Sequence, residues 1–257
     1  MKAPKTQIAV TLYSLRDYCK TKEALDETLG KLKNIGYEAV QVSGIGPISP
    51  EEVKGLLDKH GLFCVATHEN LKDLTENTEA VIKKLKTLEC PFTALGWPGD
   101  YFNKEGISFL IQALQKAGKA LSQAGIRFGY HNHSQEFEKF TGKTMFSELM
   151  SGTNPRYVLS EMDVHWVQHG GCNPAKLILG LKKRIYVIHF KDYTVIQGKP
   201  HVCEIGEGNM DFPAIVKACK KAGVRWYVVE QDDPVPGRDM FDSARISFDN
   251  MRKLGLR

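Results

Sequence analysis

IYVIHFKDY, residues 185–193, is a run of β-branched and aromatic residues that ends in His189, Lys191 and Asp192. Such a run reads as a buried strand, and its polar end falls where a strand should hand over to a loop. Two neighbouring runs take the same form, YVLSEMDVHW (157–166) and WYVVEQD (226–232). Working outward, IRFGYHNH (126–133), PFTALGW (91–97), FCVATHE (63–69), EAVQVS (38–43) and IAVTLYSL (8–15) complete a set of eight. Each is followed by an amphipathic segment of helical length. Eight alternating β/α units in one sheet close into an α/β (β/α)8 TIM barrel, whose active end lies where the strands stop.

The punctuation supports this division. Helices are expected over 22–33, stopping at Gly36; from Ser49-Pro50, an N-cap with proline at the first helical position, to Gly61; and over 78–88. The longest is expected at 107–124, with Gly125 closing it. The others are 144–152, a helix begun by Asn173-Pro174, one begun by Asp211-Phe212-Pro213, and 239–254. The first and eighth strands must pair for the barrel to close. The longest irregular stretches, 134–143, 166–172 and 194–210, all follow strands and are expected to cover the mouth.

The 257 residues suit one barrel domain spanning 1–257. An apolar fraction of 42% with 25% charged residues is that of an ordinary soluble globular protein. No apolar run approaches the roughly 20 residues needed to cross a bilayer, so no membrane partner is expected. The N-terminal MKAPKTQ lacks the apolar core of a signal peptide. A cytoplasmic location is expected, or a secreted or periplasmic one if a leader has been removed. The net charge of +5 is spread over helices where lysines alternate with acids, as in KTKEALDETLGKLK (20–33) and TEAVIKKLKTLEC (78–90). Those are solvated faces rather than a nucleic-acid surface. The six cysteines (Cys19, Cys64, Cys90, Cys172, Cys203 and Cys219) form no C-x-x-C pair and are expected to be reduced.

The last four strands end in side chains that bind metals or move protons. On the seventh, His189 and Lys191 share one face; the competing reading is a hydrogen-bonded core histidine beside a snorkelling lysine. On the sixth, Glu161, Asp163 and His165 share a face. Asp163, nearest the strand end, is the expected ligand, Glu161 a deeper salt-bridged acid, and His165 a supporting or loop residue. On the eighth, Glu230 follows buried valines and stands at the rim, where it could instead cap a turn. On the fifth, His131 and His133 lie at i, i+2 and can both reach a metal or a substrate. Two histidines and two carboxylates suit Mn²⁺, Zn²⁺, Co²⁺ or Fe²⁺.

Taken together, LYSLRD (12–17), GYHNHSQEF (129–137), EMDVHWVQHGG (161–171), HFKD (189–192), EIGEGNMDF (204–212) and VVEQD (228–232) resemble the xylose isomerase-like TIM-barrel superfamily. The sugar phosphate isomerase/epimerase proteins in particular are similar. The resemblance spans nearly the whole chain and implies metal ligands at His131, Asp163, His189 and Glu230. It also implies a metal-dependent isomerase or epimerase acting on a sugar or inositol-like polyol. Many such epimerases carry Glu at the end of strand five, where this chain has His131; Glu136 is an alternative ligand if its loop folds back. A His/Glu pair fits isomerisation, and equally dehydration of a keto-polyol or cleavage of a keto-glycoside.

Glu230, His131, His133 and Lys191 are therefore the candidate catalytic residues. His68, Trp97, His201 and Tyr13 are the candidates for substrate contact, each with a packing or loop alternative. Arg16 could meet an anion, or pair with Asp17. Glu204 and Glu207 are read as shaping their loop. The expected partner is a small-molecule carbohydrate, with a homodimer plausible for the family. No phosphate-binding G-x-x-x-x-G-K-[ST] loop is present, so a phosphorylated substrate is not favoured. An endonuclease IV-like nuclease would need more metal ligands at the mouth and basic loops. A sugar-binding barrel without turnover is the remaining alternative.

Overall fold

The computed structural model describes residues 6–140 and 142–257. The first five residues of the MKAPKTQ run-in, and one position of the 134–143 stretch, lie outside the described residues. The eight expected runs form β1 (Ile8–Thr11), β2 (Ala39–Val42), β3 (Phe63–Asn70), β4 (Phe92–Trp97), β5 (Arg127–His131), β6 (Leu159–Asp163), β7 (Ile185–Phe190) and, as the eighth barrel strand, β10 (Trp226–Val229). They pair in parallel as a closed ring, β1-β10-β7-β6-β5-β4-β3-β2. Closure is made by β1 against β10, with Ile8 opposite Tyr227 and Val10 opposite Val229.

Strand alternation explains why one end of the barrel is a core and the other a site. Ala9, Ala39, Ala66, Phe92, Ala94, Val187, Trp226 and Val228 pack together as the apolar plug. Two residues further along the same strands, in the same phase, stand Gln41, His68, His189 and Glu230. All four are buried or half-buried. Small residues make the plug possible: a Cβ on Gly129 would come within 2.6 Å of the Phe92 ring. The opposite strand faces bury Val10, Val40, Leu95, Phe128, Tyr130, Ile188 and Phe190 against the helices.

Those helices begin and end where the sequence punctuates. They are α1 (Lys22–Ile35), α2 (Pro50–His60), α3 (Leu71–Glu76), α4 (Thr78–Thr87), α5 (Lys104–Gln123), α6 (Met145–Gly152), α7 (Val164–His169), α8 (Pro174–Gly180), α9 (Phe212–Ala222) and α10 (Met240–Lys253). Ser49 and Glu52 form a full capping box on α2, and Gly61 ends it in the left-handed conformation. Asn173, Asp211 and Asp239 cap α8, α9 and α10 with their side chains.

The loops differ from expectation. The 194–210 stretch contains a hairpin, β8 (Asp192–Ile196) against β9 (Lys199–Cys203). The 166–172 stretch overlaps α7, which leaves β6 without an intervening loop because Asp163 is itself the N-cap. Helix α3 was not expected, and α5 starts three residues earlier than its apolar pattern suggests, at a turn capped by Asn103. All six cysteines are free thiols. Among the described residues no helix is long and apolar enough to cross a membrane.

Candidate active site

At the C-terminal ends of the strands a cavity of about 790 Å³ is lined by Tyr13, His68, Trp97, His131, His133, Trp166, Lys191, Glu230 and Asp232, among others. Its floor is the polar layer above the apolar plug. The fifth, sixth, seventh and eighth barrel strands deliver His131, Asp163, His189 and Glu230 to one place, with ligand atoms all within 4.8 Å of one another. A second set, His68, His131, Glu161 and His189, meets the same limit.

The floor is tightly wired. His189 sits between carboxylates: its Nδ1 meets Glu230 Oε2, while its Nε2 is 2.8 Å from Gln41 Oε1 and 3.6 Å from Glu161 Oε1. Burial opposes a charge on His189, but Glu161 and Glu230 outweigh it and push its pKa up to about 10. Lys191 is fully enclosed, with Nζ 2.7 Å from Glu230, 3.0 Å from Asp232 and 3.6 Å from Asp163. Burial works against its ammonium, and the facing carboxylates of Glu230 and Asp163 hold it charged. Burial likewise opposes the Glu230 carboxylate, which Lys191 and His189 keep well below the usual range. Asp163, farther from the ammonium, is pushed up to about 7 by burial, with Lys191 pulling the other way. His131 is lowered to about 4 and His133 to about 2, chiefly by burial, so both imidazoles are neutral.

Local structure sets these positions. Asn132 donates to the Asp163 carbonyl and accepts from the Asp163 N–H, tying the ends of β5 and β6 together. Asp163 Oδ1 accepts from the Trp166 N–H, whereas Oδ2 is buried without a hydrogen-bond partner. That orphaned oxygen, beside two imidazoles and a second carboxylate, has the donor chemistry of a divalent-cation site. The residues present fit such an ion.

Of the residues singled out in the sequence, Tyr13, His68, Trp97, His131, His133, Lys191 and Glu230 border the cavity. His201 does not: it lies exposed on β9, opposite Thr194. Glu136 belongs to neither ligand set. It is buried behind the strand, accepting from the Tyr130 hydroxyl at 2.8 Å and the His133 N–H at 2.9 Å. His165 leaves the expected face because β6 ends at Asp163 and the chain turns into α7; its ring packs edge-on against Trp166 and Tyr193. Arg16 donates to the carbonyls of Tyr13 and Asp232 and pairs with Asp233 rather than Asp17. Glu204 and Glu207 both pair with Arg238, which fixes their loop.

Gln41, Asp232 and Trp166 are site residues that the sequence reading passed over. Gln41 and Asp232 are in phase with interior or rim positions of their runs, so strict alternation would have found them. Trp166 sits in α7, where the sequence predicts an irregular stretch. Glu161, expected as a deeper salt-bridged acid, is buried and takes three imidazoles as its ion-pair partners.

A family model described as xylose isomerase-like TIM barrel matches residues 29–254. Over 92 residues the chain is 29% identical to an inosose dehydratase from Clostridium beijerinckii, a match covering 36% of this chain and only 30% of that relative. Among solved structures, a sugar phosphate isomerase/epimerase from Parabacteroides distasonis ATCC 8503 superposes with a TM-score of 0.83 at 22% identity, covering 98% of this chain and 96% of the other. A D-allulose 3-epimerase from Methylomonas sp. gives 0.71 at 14% identity, covering 99% and 100%. At such identities these structures speak for the fold.

Proposed function

The chain belongs to the xylose isomerase-like TIM-barrel family, and we propose that it is a metal-dependent enzyme that isomerises or epimerises a sugar or inositol-like polyol. The reaction is a proton transfer next to a carbonyl. The observation that carries this reading is the convergence of His131, Asp163, His189 and Glu230 at the floor of an open cavity. A divalent ion held by those four, of the Mn²⁺, Zn²⁺, Co²⁺ or Fe²⁺ type, would supply Lewis-acid polarisation of the substrate carbonyl and acidify the neighbouring C–H.

The chain's own groups account for the remaining work. The Lys191 ammonium faces the cavity from a buried position, where it stabilises the oxygen on which enolate charge gathers. Glu230 and His131 come from strands three places apart around the ring. They form the His/Glu pair that takes the proton from one side and returns it from another. His133, neutral and edge-on to Trp97, orients a hydroxyl. Trp97 and Trp166 offer apolar faces to the C–H side of a sugar ring, and Tyr13 and His68 complete the wall.

The test is solvent exchange. With added Mn²⁺ in D₂O, a panel of free sugars, 3-keto sugars and inososes should show deuterium uptake beside the carbonyl of at least one member, followed by NMR. EDTA should abolish the uptake and fresh ion restore it. Undiminished turnover by EDTA-treated protein would end this reading. The local match to an inosose dehydratase favours a second reading, in which the same proton abstraction is followed by loss of the β-hydroxyl as water. The conjugated enone absorbance of that product distinguishes the two.

A further inference from the structure

Surface charge is not balanced in the same way all round the barrel. Among the described residues, the surface lysines that pair with carboxylates are Lys20, Lys22, Lys31, Lys54, Lys59 and Lys84. All six belong to the first third of the chain. Further on, the acids run out: no Asp or Glu stands between Asp163 and Asp192, or between Asp211 and Glu230. Arg127, Lys182, Lys183, Lys220, Lys221 and Arg225 are exposed, and none of them enters an ion pair among the described residues.

These six stand where the strands begin, at the end of the barrel opposite the cavity. Arg127 opens β5, and its guanidinium lies over the Tyr186 ring of β7, 4.6 Å from the centre. The Arg225 N–H donates to the Tyr186 carbonyl, and the Lys183 N–H to the Ala222 carbonyl at the end of α9. The Lys220 ammonium donates to the Gly255 carbonyl near the end of the chain. A helix C-terminus favours cations, which accounts for Lys220 and Lys221 in the last turn of α9. It does not account for Arg127 and Arg225 at strand starts. Leu179, three residues before Lys182, is 43% exposed.

We propose that this end of the barrel adheres to the surface of an anionic phospholipid bilayer. Clustered Lys and Arg are drawn to the negative surface potential of acidic headgroups. One plane can meet all six because they share one end of the barrel, and the exposed Leu179 can enter the boundary between headgroups and acyl chains. Nucleic acid fits less well, since single strands stack their bases on open rings. Here the Tyr186 ring has the Arg127 guanidinium over it, and Trp226 is buried with Arg225 beside it. Adhesion needs no membrane-spanning helix, and none is present among the described residues. It also leaves the cavity mouth facing water, where a small soluble substrate enters.

The test floats purified protein with vesicles of phosphatidylcholine, alone or mixed two to one with phosphatidylglycerol, at low and at high salt. Wild type should partition onto the mixed vesicles at low salt only, because salt screens exposed charge. Reversing three charges together, Lys182→Glu, Lys183→Glu and Lys221→Glu, should lower the partition coefficient by about a hundredfold or more. A control with Lys72→Glu, Lys116→Glu and Lys119→Glu makes the same change in net charge at exposed positions of α3 and α5. It should stay within about threefold of wild type, since those charges lie away from the contact. If a thermal melt shows that reversal unfolds the first variant, glutamine at the same three positions removes the charge alone. No flotation of wild type with mixed vesicles, equal partition onto neutral ones, or equal loss in both triple variants overturns the proposal. So does a gel shift of duplex DNA or of RNA that the first variant abolishes, at a salt concentration where the mixed vesicles no longer hold the protein.

Discussion

Without the Lys191 ammonium, Glu230, Asp163 and Asp232 would face one another across a few ångströms with, among the described residues, no other lysine or arginine side chain paired to them. Removing one partner of a buried ionic group leaves charge uncompensated and costs about 3–5 kcal/mol. Lys191→Met should lower the unfolding free energy by about that amount in denaturant titration, and adding Asp163→Asn should recover part of it. Glu136 makes a different prediction, because burial raises it from 4.5 to about 7 against the donors that hold it. An acid whose folded pKa exceeds its unfolded one binds more protons in the native state between those values. Its presence therefore costs stability as pH rises from about 4.5 to about 7, and adds no pH dependence outside that window. At 1.36 kcal/mol per pH unit the loss is about 3 kcal/mol. Thermal melts of Glu136→Gln against wild type should show the gap moving in favour of the variant between pH 5 and pH 8; a constant gap would refute this. At this scale the site was partly legible. The type and phase of His131, Asp163, His189 and Glu230 pointed inward. The depth and ion pairing of Glu161 were legible too, but that its partners are His68, His131 and His189 did not follow from phase, because which groups meet depends on the stagger between strands. The β6–β7 register shifts between Ser160 and Met162, and no residue type announces that shift.

Helices whose ends carry their own stop and start residues were read nearly to the residue. Ser49 accepts from the Glu52 N–H, and Glu52 answers at the Ser49 N–H. Ser49→Ala should cost about 1 kcal/mol in an equilibrium unfolding measurement. Gly118, inside α5, looks like a position that alanine would improve by about 1 kcal/mol. A Cβ there, however, would lie 2.4 Å from the Tyr157 carbonyl oxygen, a backbone atom unable to step aside freely. Gly118→Ala should therefore destabilise the protein by about 1–3 kcal/mol, and a raised melting temperature would contradict the packing. The β8–β9 hairpin escaped sequence reading for two physical reasons. Its turn is Gln197-Gly198, both at positive φ (50° and 77°), where Asn-Gly is the stronger signal. Pro200 also stands within the second strand, a residue that argues against strand unless the edge is free. Helix α7 was hidden because a single residue, Asp163, both ends a strand and caps a helix.

The whole barrel was the most legible level, since eight repeats of one unit leave little choice of topology. If the floor binds a divalent ion only when folded, the ion stabilises the entire ring of strands that supplies its ligands. At a hundred times its dissociation constant it should add about 2.7 kcal/mol to the unfolding free energy. A calorimetric melt with Mn²⁺ or Co²⁺, compared with one in EDTA, measures this; coincident melts would show that the native state gains nothing from the ion. The placement of the three tryptophans has a practical consequence. Trp97 and Trp166 stand at the cavity, the latter with the Lys191 ammonium 5.1 Å from its ring, while Trp226 is sealed in the apolar plug. Emission from the first two indoles will respond to whatever enters the mouth, and a paramagnetic ion beneath them will quench it. The third will stay blue-shifted until the chain unfolds, so unlabelled protein carries separate optical readouts of occupancy and of integrity.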